Sequence, residues 1–262
     1  MRTITFASIK GGVGKTTMSV HTAAGLADLG HRTLLIDLDP QGHASTMAGF
    51  EIGPDDACAA DGFGQTPRVP FSRVVQETSR KNLWVAPAGP RMAGLERELF
   101  RWGHRLQAVT RAVQELRLDL DAVVVDTPPQ LNAFTEAALA AGDLVVVPVP
   151  AMAHALQGFD EIHAAWADAS DGRGASMIGA INMWDRRTTA TNSAMEDAFK
   201  ELPVKLTRTR IPRNEALNQA GLGYELVYEF SRQSAAVGSF RDLVKELWRL
   251  AGKPSARPGR KS

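Results

Sequence analysis

Residues 10–17 read Lys10-Gly11-Gly12-Val13-Gly14-Lys15-Thr16-Thr17, directly after a strand-like run over residues 3–9 and at the start of a helix-like stretch over residues 17–29. A glycine-rich loop between a strand and a helix is the context that a phosphate-binding loop requires. The glycines at positions 11, 12 and 14 let the backbone curl tightly with its N–H groups turned inward. Those donors, with the N-terminus of the following helix, make a concave anion site. In that frame Gly11, Gly12, Val13 and Gly14 supply backbone donors, and Lys15 bridges the β- and γ-phosphates of a nucleoside triphosphate. The Thr16 hydroxyl ligates magnesium and Thr17 reaches the α-phosphate. A plain turn between strand and helix accounts for glycines, but not for the Gly-Lys-Thr-Thr that closes the run.

Along the rest of the chain, apolar runs at 33–38, 82–87, 122–126, 144–150 and 176–182 read as strands. Helix-like stretches lie between them at 95–116, 133–141 and 156–169, and Phe240, Leu243, Val244, Leu247 and Trp248 recur at helical spacing in a last helix. The runs Val123-Val124-Val125 and Leu144-Val145-Val146-Val147 do not alternate with polar residues. Strands apolar on both sides belong in a parallel sheet covered by helices on both faces. The expected fold is therefore α/β, a doubly wound and mostly parallel sheet, with ligand loops at the carboxyl ends of the strands. One domain is expected over residues 1–251, with the Gly/Asp/Ala-rich segment 52–70 as its weakest-ordered interior stretch. Residues 252–262 hold Lys253, Arg257, Arg260 and Lys261 and no acid, and their Pro, Gly and Ser content reads as a basic, disordered tail.

Composition sets outer bounds. The chain has 262 residues, 44% hydrophobic and 23% charged, which suits one large globular domain. No apolar run approaches the length of a membrane span, and no apolar signal region precedes the glycine loop, so the expected location is the cytosol. Cys58 is the single cysteine and reads as a loop or packing residue, unable to form an internal disulfide or hold a metal cluster alone. Net charge is +1, so partners are indicated only by local charge. Residues 203–213 read PVKLTRTRIPR, with four basic residues and no acidic one: an anion-binding surface or an ordinary solvated face.

Two further segments carry carboxylates at strand ends. Residues 34–42 read LLIDLDPQG, with Asp37 and Asp39 close to the end of the second strand, where a carboxylate can face the nucleotide; Asp39-Pro40 also suits a simple turn. Residues 122–129 read AVVVDTPP, an apolar strand ending in Asp126. With a phosphate loop in the same chain, Asp126 reads as a magnesium residue acting through a water, since magnesium keeps much of its hydration shell.

The phosphate loop departs from the usual pattern: the position five residues before Gly14 is Ile9 rather than glycine, and Lys10 follows it. KGGxGK[ST] is the deviant Walker A signature, and the sequence resembles the ParA/MinD superfamily at this point. The resemblance extends from about residue 2 to about residue 250. It takes in Ala155-Leu156-Gln157-Gly158-Phe159, the strand 176–183 and Ile211-Pro212-Arg213-Asn214, and it is weak over residues 52–79. It implies that ATP and magnesium are the cofactors and that Lys10 reaches across a dimer interface to the phosphates of the partner subunit. It implies further that Asp39 orients the attacking water, that Asp37 supports the site, and that adenine lies near Asn182, Met183 and Pro212.

Iron–sulfur branches of that superfamily need more cysteines, and a MinD-like member, the competing assignment, ends in an amphipathic membrane helix that KPSARPGRKS does not provide. Metabolic amidoligases carry an additional glutaminase-like region for which the chain has no room. The remaining resemblance is to the ParA family, short type without an N-terminal helix-turn-helix domain. It implies an ATPase that dimerises with ATP, holds DNA non-specifically and positions a plasmid, chromosome or protein assembly. A ParB-like or cargo-adaptor protein would stimulate hydrolysis. Localisation would be cytoplasmic and nucleoid-associated, without stable membrane attachment. The DNA contacts implied are Arg187, Lys205, Arg208, Arg210 and Arg213, cations that need only face phosphates and carry no sequence reading.

Overall fold

The computed structural model describes residues 1–53, 55–116, 118–152, 155–170 and 175–252. From residue 253 onward the expected basic tail lies outside the described residues. Strands β1 (Arg2–Phe6), β2 (Thr33–Asp37), β3 (Gln76–Glu77), β4 (Leu83–Ala86), β5 (Ala122–Asp126), β6 (Leu144–Pro150), β7 (Ser176–Trp184) and β8 (Lys205–Pro212) form one sheet. Their order is β3-β4-β2-β5-β1-β6-β7-β8. Every pairing is parallel except β3 with β4. The doubly wound α/β fold read from the apolar runs is thus the fold of the chain.

Strand-by-strand alternation explains why the central runs are apolar throughout. Leu35 and Val124 face a core that they share with the helix Lys15–Asp28 and the last helix, Ala235–Leu250. Their neighbours Leu34, Ile36, Val123 and Val125 face a second core under the helices Met92–Arg101, Ala108–Glu115 and Ala133–Ala141. A third core, around Val145, Val147, Phe159, Ile162 and Phe199, continues that side beneath β6 and β7. Each large aliphatic side chain so enclosed contributes about 1.5–3 kcal/mol over an exposed one.

Differences from the expected elements have local causes. The stretch 95–116 is two helices, because Trp102 turns extended at the end of the first and Gly103 follows it. The strand at 3–9 ends at Phe6, since the chain then peels into the loop. Part of the segment 52–70 is folded onto the sheet. The short helix Ala59–Gly62 starts there, with Cys58 and Phe63 buried. Asp61 accepts from the Cys58 backbone N–H (2.9 Å) and from Arg91 Nε (2.8 Å), so a buried carboxylate pins the segment to the main domain. The strand β8 is not among the strands that the apolar runs announce. Its alternation is real, with Thr207 and Ile211 inward and Arg208 and Arg210 outward, but an edge strand has one polar side and cations that discourage further pairing.

The helix after the phosphate loop is tied to the carboxyl-terminal part of the chain through His21, which is fully buried. Its Nδ1 lies 2.7 Å from the Thr17 carbonyl, and its Nε2 accepts from the Val227 N–H at 3.0 Å, which fixes a neutral ring protonated at Nδ1. Burial pushes the His21 pKa down from 6.5 to about 4. The unfolded chain therefore binds the extra proton first, so stability is complete above about pH 6.5 and falls as pH drops towards 4. Unfolding by urea at pH 7 and pH 4.5 should reveal that loss, on the order of 2–3 kcal/mol from this residue. His21→Gln should be less stable at pH 7 but lose less on acidification. An equal pH slope in both proteins would contradict the assignment.

Candidate nucleotide site and basic cleft

The loop 10–17 lies at the carboxyl end of β1 and opens into a cavity of about 440 Å³ that also meets Asp39, Gln41, His43, Pro129 and Met183. Gly12 (φ 73°) and Gly14 (φ 85°) adopt left-handed backbone that other residues take only at a cost. Gly14 is doubly constrained, because a Cβ there would stand 2.3 Å from Asn182 Nδ2. That amide donates to the Val13 carbonyl at 2.8 Å, so the end of β7 braces the loop from behind.

Asp126, fully buried at the end of β5, gathers the polar groups beneath the loop. Lys15 Nζ lies 3.3 Å from its Oδ1 and also donates to the Thr127 carbonyl. Thr16 Oγ1 donates to Oδ2 at 2.8 Å and Ser19 Oγ to Oδ1 at 3.0 Å. Ser19 lies outside the glycine-loop motif but sits one turn after Thr16 on the same helix. The oxygen pair Thr16–Asp126 is a hard donor set suited to magnesium, which takes one or two protein oxygens and completes its shell with water and phosphate. The residues present therefore fit the ion, which would neutralise phosphate charge there. Among the described residues no cluster of three or more His, Cys, Asp or Glu offers a rival site.

Asp37 and Asp39 do different things. Asp37 is fully buried and accepts from Ser45 Oγ (2.6 Å), the Ser45 N–H (2.8 Å) and the Asp39 N–H (3.0 Å). Burial, reinforced by the nearby Asp126 charge, raises its pKa to about 7. It shapes the turn after β2 rather than facing the cavity. Asp39 lines the cavity, and its Oδ1 accepts from the Gln41 N–H at 3.0 Å. Lys10 also lines the cavity; its backbone N–H donates to Ser8 Oγ at 3.2 Å.

A second cavity, about 620 Å³, shares Gly14, Thr17 and Met183 with the first. Asn182, Met183 and Pro212 all line it, as do Asp185 and Asn218. Met183 holds φ 54°, a left-handed value that turns the chain sharply after Asn182. The room beside the loop is thus large enough for a nucleoside.

Beyond its wall, a shallow cleft of about 800 Å³ collects Arg186, Arg187, Arg208, Arg210 and Arg213. Four of the five cations singled out in the sequence meet there; Lys205, at the opposite end of β8, is not among the lining residues, and Arg186 is an addition. Two of these arginines have carboxylate partners: Arg187 with Asp185 (2.7 Å), and Arg210 with Glu196. The Arg210 guanidinium also lies 4.5 Å over the Trp184 ring. Asp185, Pro212 and Arg213 line both this cleft and the nucleoside-sized cavity. Among the described residues, no helix is long and apolar enough to cross a membrane.

The chain is similar to several known proteins. An AAA domain family, AAA_31, matches residues 1–171. The chain is 32% identical over 241 residues to the sporulation initiation inhibitor protein Soj of Bacillus subtilis, covering 91% of this chain and 94% of that protein. It is 29% identical over 249 residues to the chromosome partitioning protein ParA of Myxococcus xanthus, covering 94% and 87%. A crystal structure described as cobyrinic acid a,c-diamide synthase from Mycobacterium smegmatis, with ADP and magnesium bound, superposes with a TM-score of 0.80 at 26% identity, over 95% of this chain and 94% of that one.

Proposed function

Since the chain belongs to the ParA family of P-loop ATPases and uses ATP with magnesium, we propose that it is a partitioning ATPase whose ATP-bound dimer holds DNA through the arginine cleft and lets go after hydrolysis. In this reading Lys15 and the loop N–H groups hold the phosphates, Thr16 and Asp126 hold magnesium, and Asp39 orients the attacking water. Lys10 supplies a cation to the phosphates of a second copy, neutralising charge that develops on the transferred group. The nucleoside occupies the cavity of Asn182, Met183 and Pro212. A partner protein accelerates hydrolysis, and the cycle moves a plasmid, a chromosome or a protein assembly.

The observation that carries the proposal is the adjacency of the two cavities: Asp185, Pro212 and Arg213 belong to the walls of both. Arg208 and Arg213 are exposed and lead the DNA-facing set, while Arg187 and Arg210 already hold carboxylates. One subunit presents few cations, and pairing two copies doubles them on one surface. Each phosphate neutralised adds a counterion-release contribution. Gel-shift titrations should therefore find DNA of any sequence bound with ATP and much more weakly with ADP. The log–log salt slope should be about −0.9 per phosphate contact. Arg213→Glu should weaken binding uniformly across sequences and flatten that slope. Nucleotide-independent or strongly sequence-selective binding would count against the proposal.

A second reading takes its cue from the M. smegmatis structure, whose description names a diamide synthase. This chain covers 94% of that one, so the lack of an additional region does not separate the two activities. In that reading the cleft takes a small carboxylic acid, and ATP turnover requires the acid and is indifferent to DNA.

A further inference from the structure

We propose that Arg187 and Asp185 select adenine over guanine in the nucleotide site, with Arg187 occupying the carboxylate that a guanine base would otherwise use. The proposal rests on the reading of the 620 Å³ cavity as the base site.

The argument begins with what the two bases offer. The Watson–Crick edge of guanine carries two adjacent donors, N1–H and the N2 amino group, and an ionised carboxylate accepts such a pair with both oxygens. Adenine offers one amino group beside an acceptor nitrogen, which a carboxylate matches poorly. Asp185 stands three residues after Asn182, which holds the phosphate loop, and lines the base cavity. An unencumbered aspartate in that position would favour guanine.

This aspartate is encumbered. Arg187 Nε donates to Oδ1 and Oδ2 of Asp185 at 3.0 and 3.2 Å, Arg187 Nη2 donates to Oδ2 at 2.7 Å, and the Arg187 backbone N–H donates to Oδ1 at 2.9 Å. A carboxylate has about four acceptor positions, so this one is filled by a single residue. The Asp185 side chain is 19% exposed and the Arg187 side chain 87% exposed, so the guanidinium covers the carboxylate from the solvent side. Such an exposed pair contributes little to folding; its geometry instead matters to what the aspartate can accept. Arg187 hydrogen bonds also hold the Asp185 pKa down, to about 2, which keeps the carboxylate charged and the pair intact at neutral pH. Arg213 adds only a longer-range attraction.

The test is calorimetric titration of MgADP and MgGDP, without DNA, into the wild-type chain, Arg187→Ala and the double variant Asp185→Asn/Arg187→Ala. The wild-type chain should bind MgADP at least about tenfold more tightly than MgGDP. Arg187→Ala should tighten MgGDP by about tenfold, less than two fully buried charge-assisted hydrogen bonds would give because the site stays open to water, with MgADP changing little. The double variant should lose that gain. Equal wild-type affinities, no gain of MgGDP affinity in Arg187→Ala, or a gain that survives in the double variant would each overturn the selection mechanism. A fourth protein, Asn218→Trp, fills the cavity from an exposed helix position. If its MgADP affinity is unchanged, the base does not sit in this cavity. If the affinity falls but Arg187→Ala leaves the preference unmoved, the base site stands and only the selection mechanism fails.

Discussion

Replacing Lys15 by alanine is expected to abolish measurable MgATP binding. The ammonium is 6% exposed and points into the cluster built on Asp126, where water screens charge poorly. Its loss removes charge-assisted hydrogen bonds to phosphate, each worth about 1.5–3 kcal/mol. Two such bonds correspond to about a hundredfold or more in affinity. The substitution also leaves Asp126 without its only salt-bridge partner among the described residues, which destabilises the fold. Thr16 and Ser19 still donate to that carboxylate, so circular dichroism should find a folded protein of lower melting temperature. Wild-type MgATP affinity in a folded Lys15→Ala protein, measured by calorimetry, would remove the phosphate-loop assignment.

The second large effect is kinetic. Asp39→Ala should bind MgATP with near wild-type affinity and hydrolyse it about 10²–10⁴-fold more slowly, the range a positioned carboxylate contributes. Asp39 lines the phosphate cavity with its carboxylate held by the Gln41 N–H rather than by the glycine loop, so its removal leaves the cradle standing. Asp37 provides the contrast. Its oxygens hold the Ser45 and Asp39 N–H groups, so Asp37→Ala should lower stability as well as turnover. Single-turnover phosphate release separates the two variants. Full turnover by Asp39→Ala would contradict its place in the chemistry.

How much of this could be read from the sequence depended on how local each signal was. The phosphate loop was legible because its glycines, lysine and threonines are contiguous, and β5 and β6 were legible to the residue because strands buried on both faces need unbroken apolar runs. The edge strand β8 was not legible as a strand, because its arginines alternate with threonines and its apolar residues, Leu206, Ile211 and Pro212, form no continuous run. Its cations were visible but their partners were not. Glu196 comes from the helix Thr189–Lys200 and reaches Arg210 only through the fold, whereas Asp185 is two residues from Arg187 and could have been suspected from spacing alone. Ser19 needed only helical periodicity. Asn182 could be named from family likeness, but its grip on the Val13 carbonyl joins residues 169 positions apart and required the folded chain.

Contacts within and beside the segment 52–70 were less legible than its composition. Glycine, alanine and aspartate in a run suggested loose chain, but Phe63 and Phe71 pack against one another with ring centres 4.8 Å apart, and Asp61 meets Arg91. These contacts join residues that are not neighbours in the sequence, so a local composition of glycine, alanine and aspartate carries no sign of them.

The central claim is that ATP joins two copies into the form that holds DNA. It is tested most directly by multi-angle light scattering of Asp39→Ala, which is expected to retain its nucleotide, mixed with a short DNA duplex of arbitrary sequence in MgATP and in MgADP. The account predicts a dimer carrying DNA in MgATP and free monomers beside unbound duplex in MgADP. A monomer in MgATP, or DNA carried equally in both nucleotides, would contradict it.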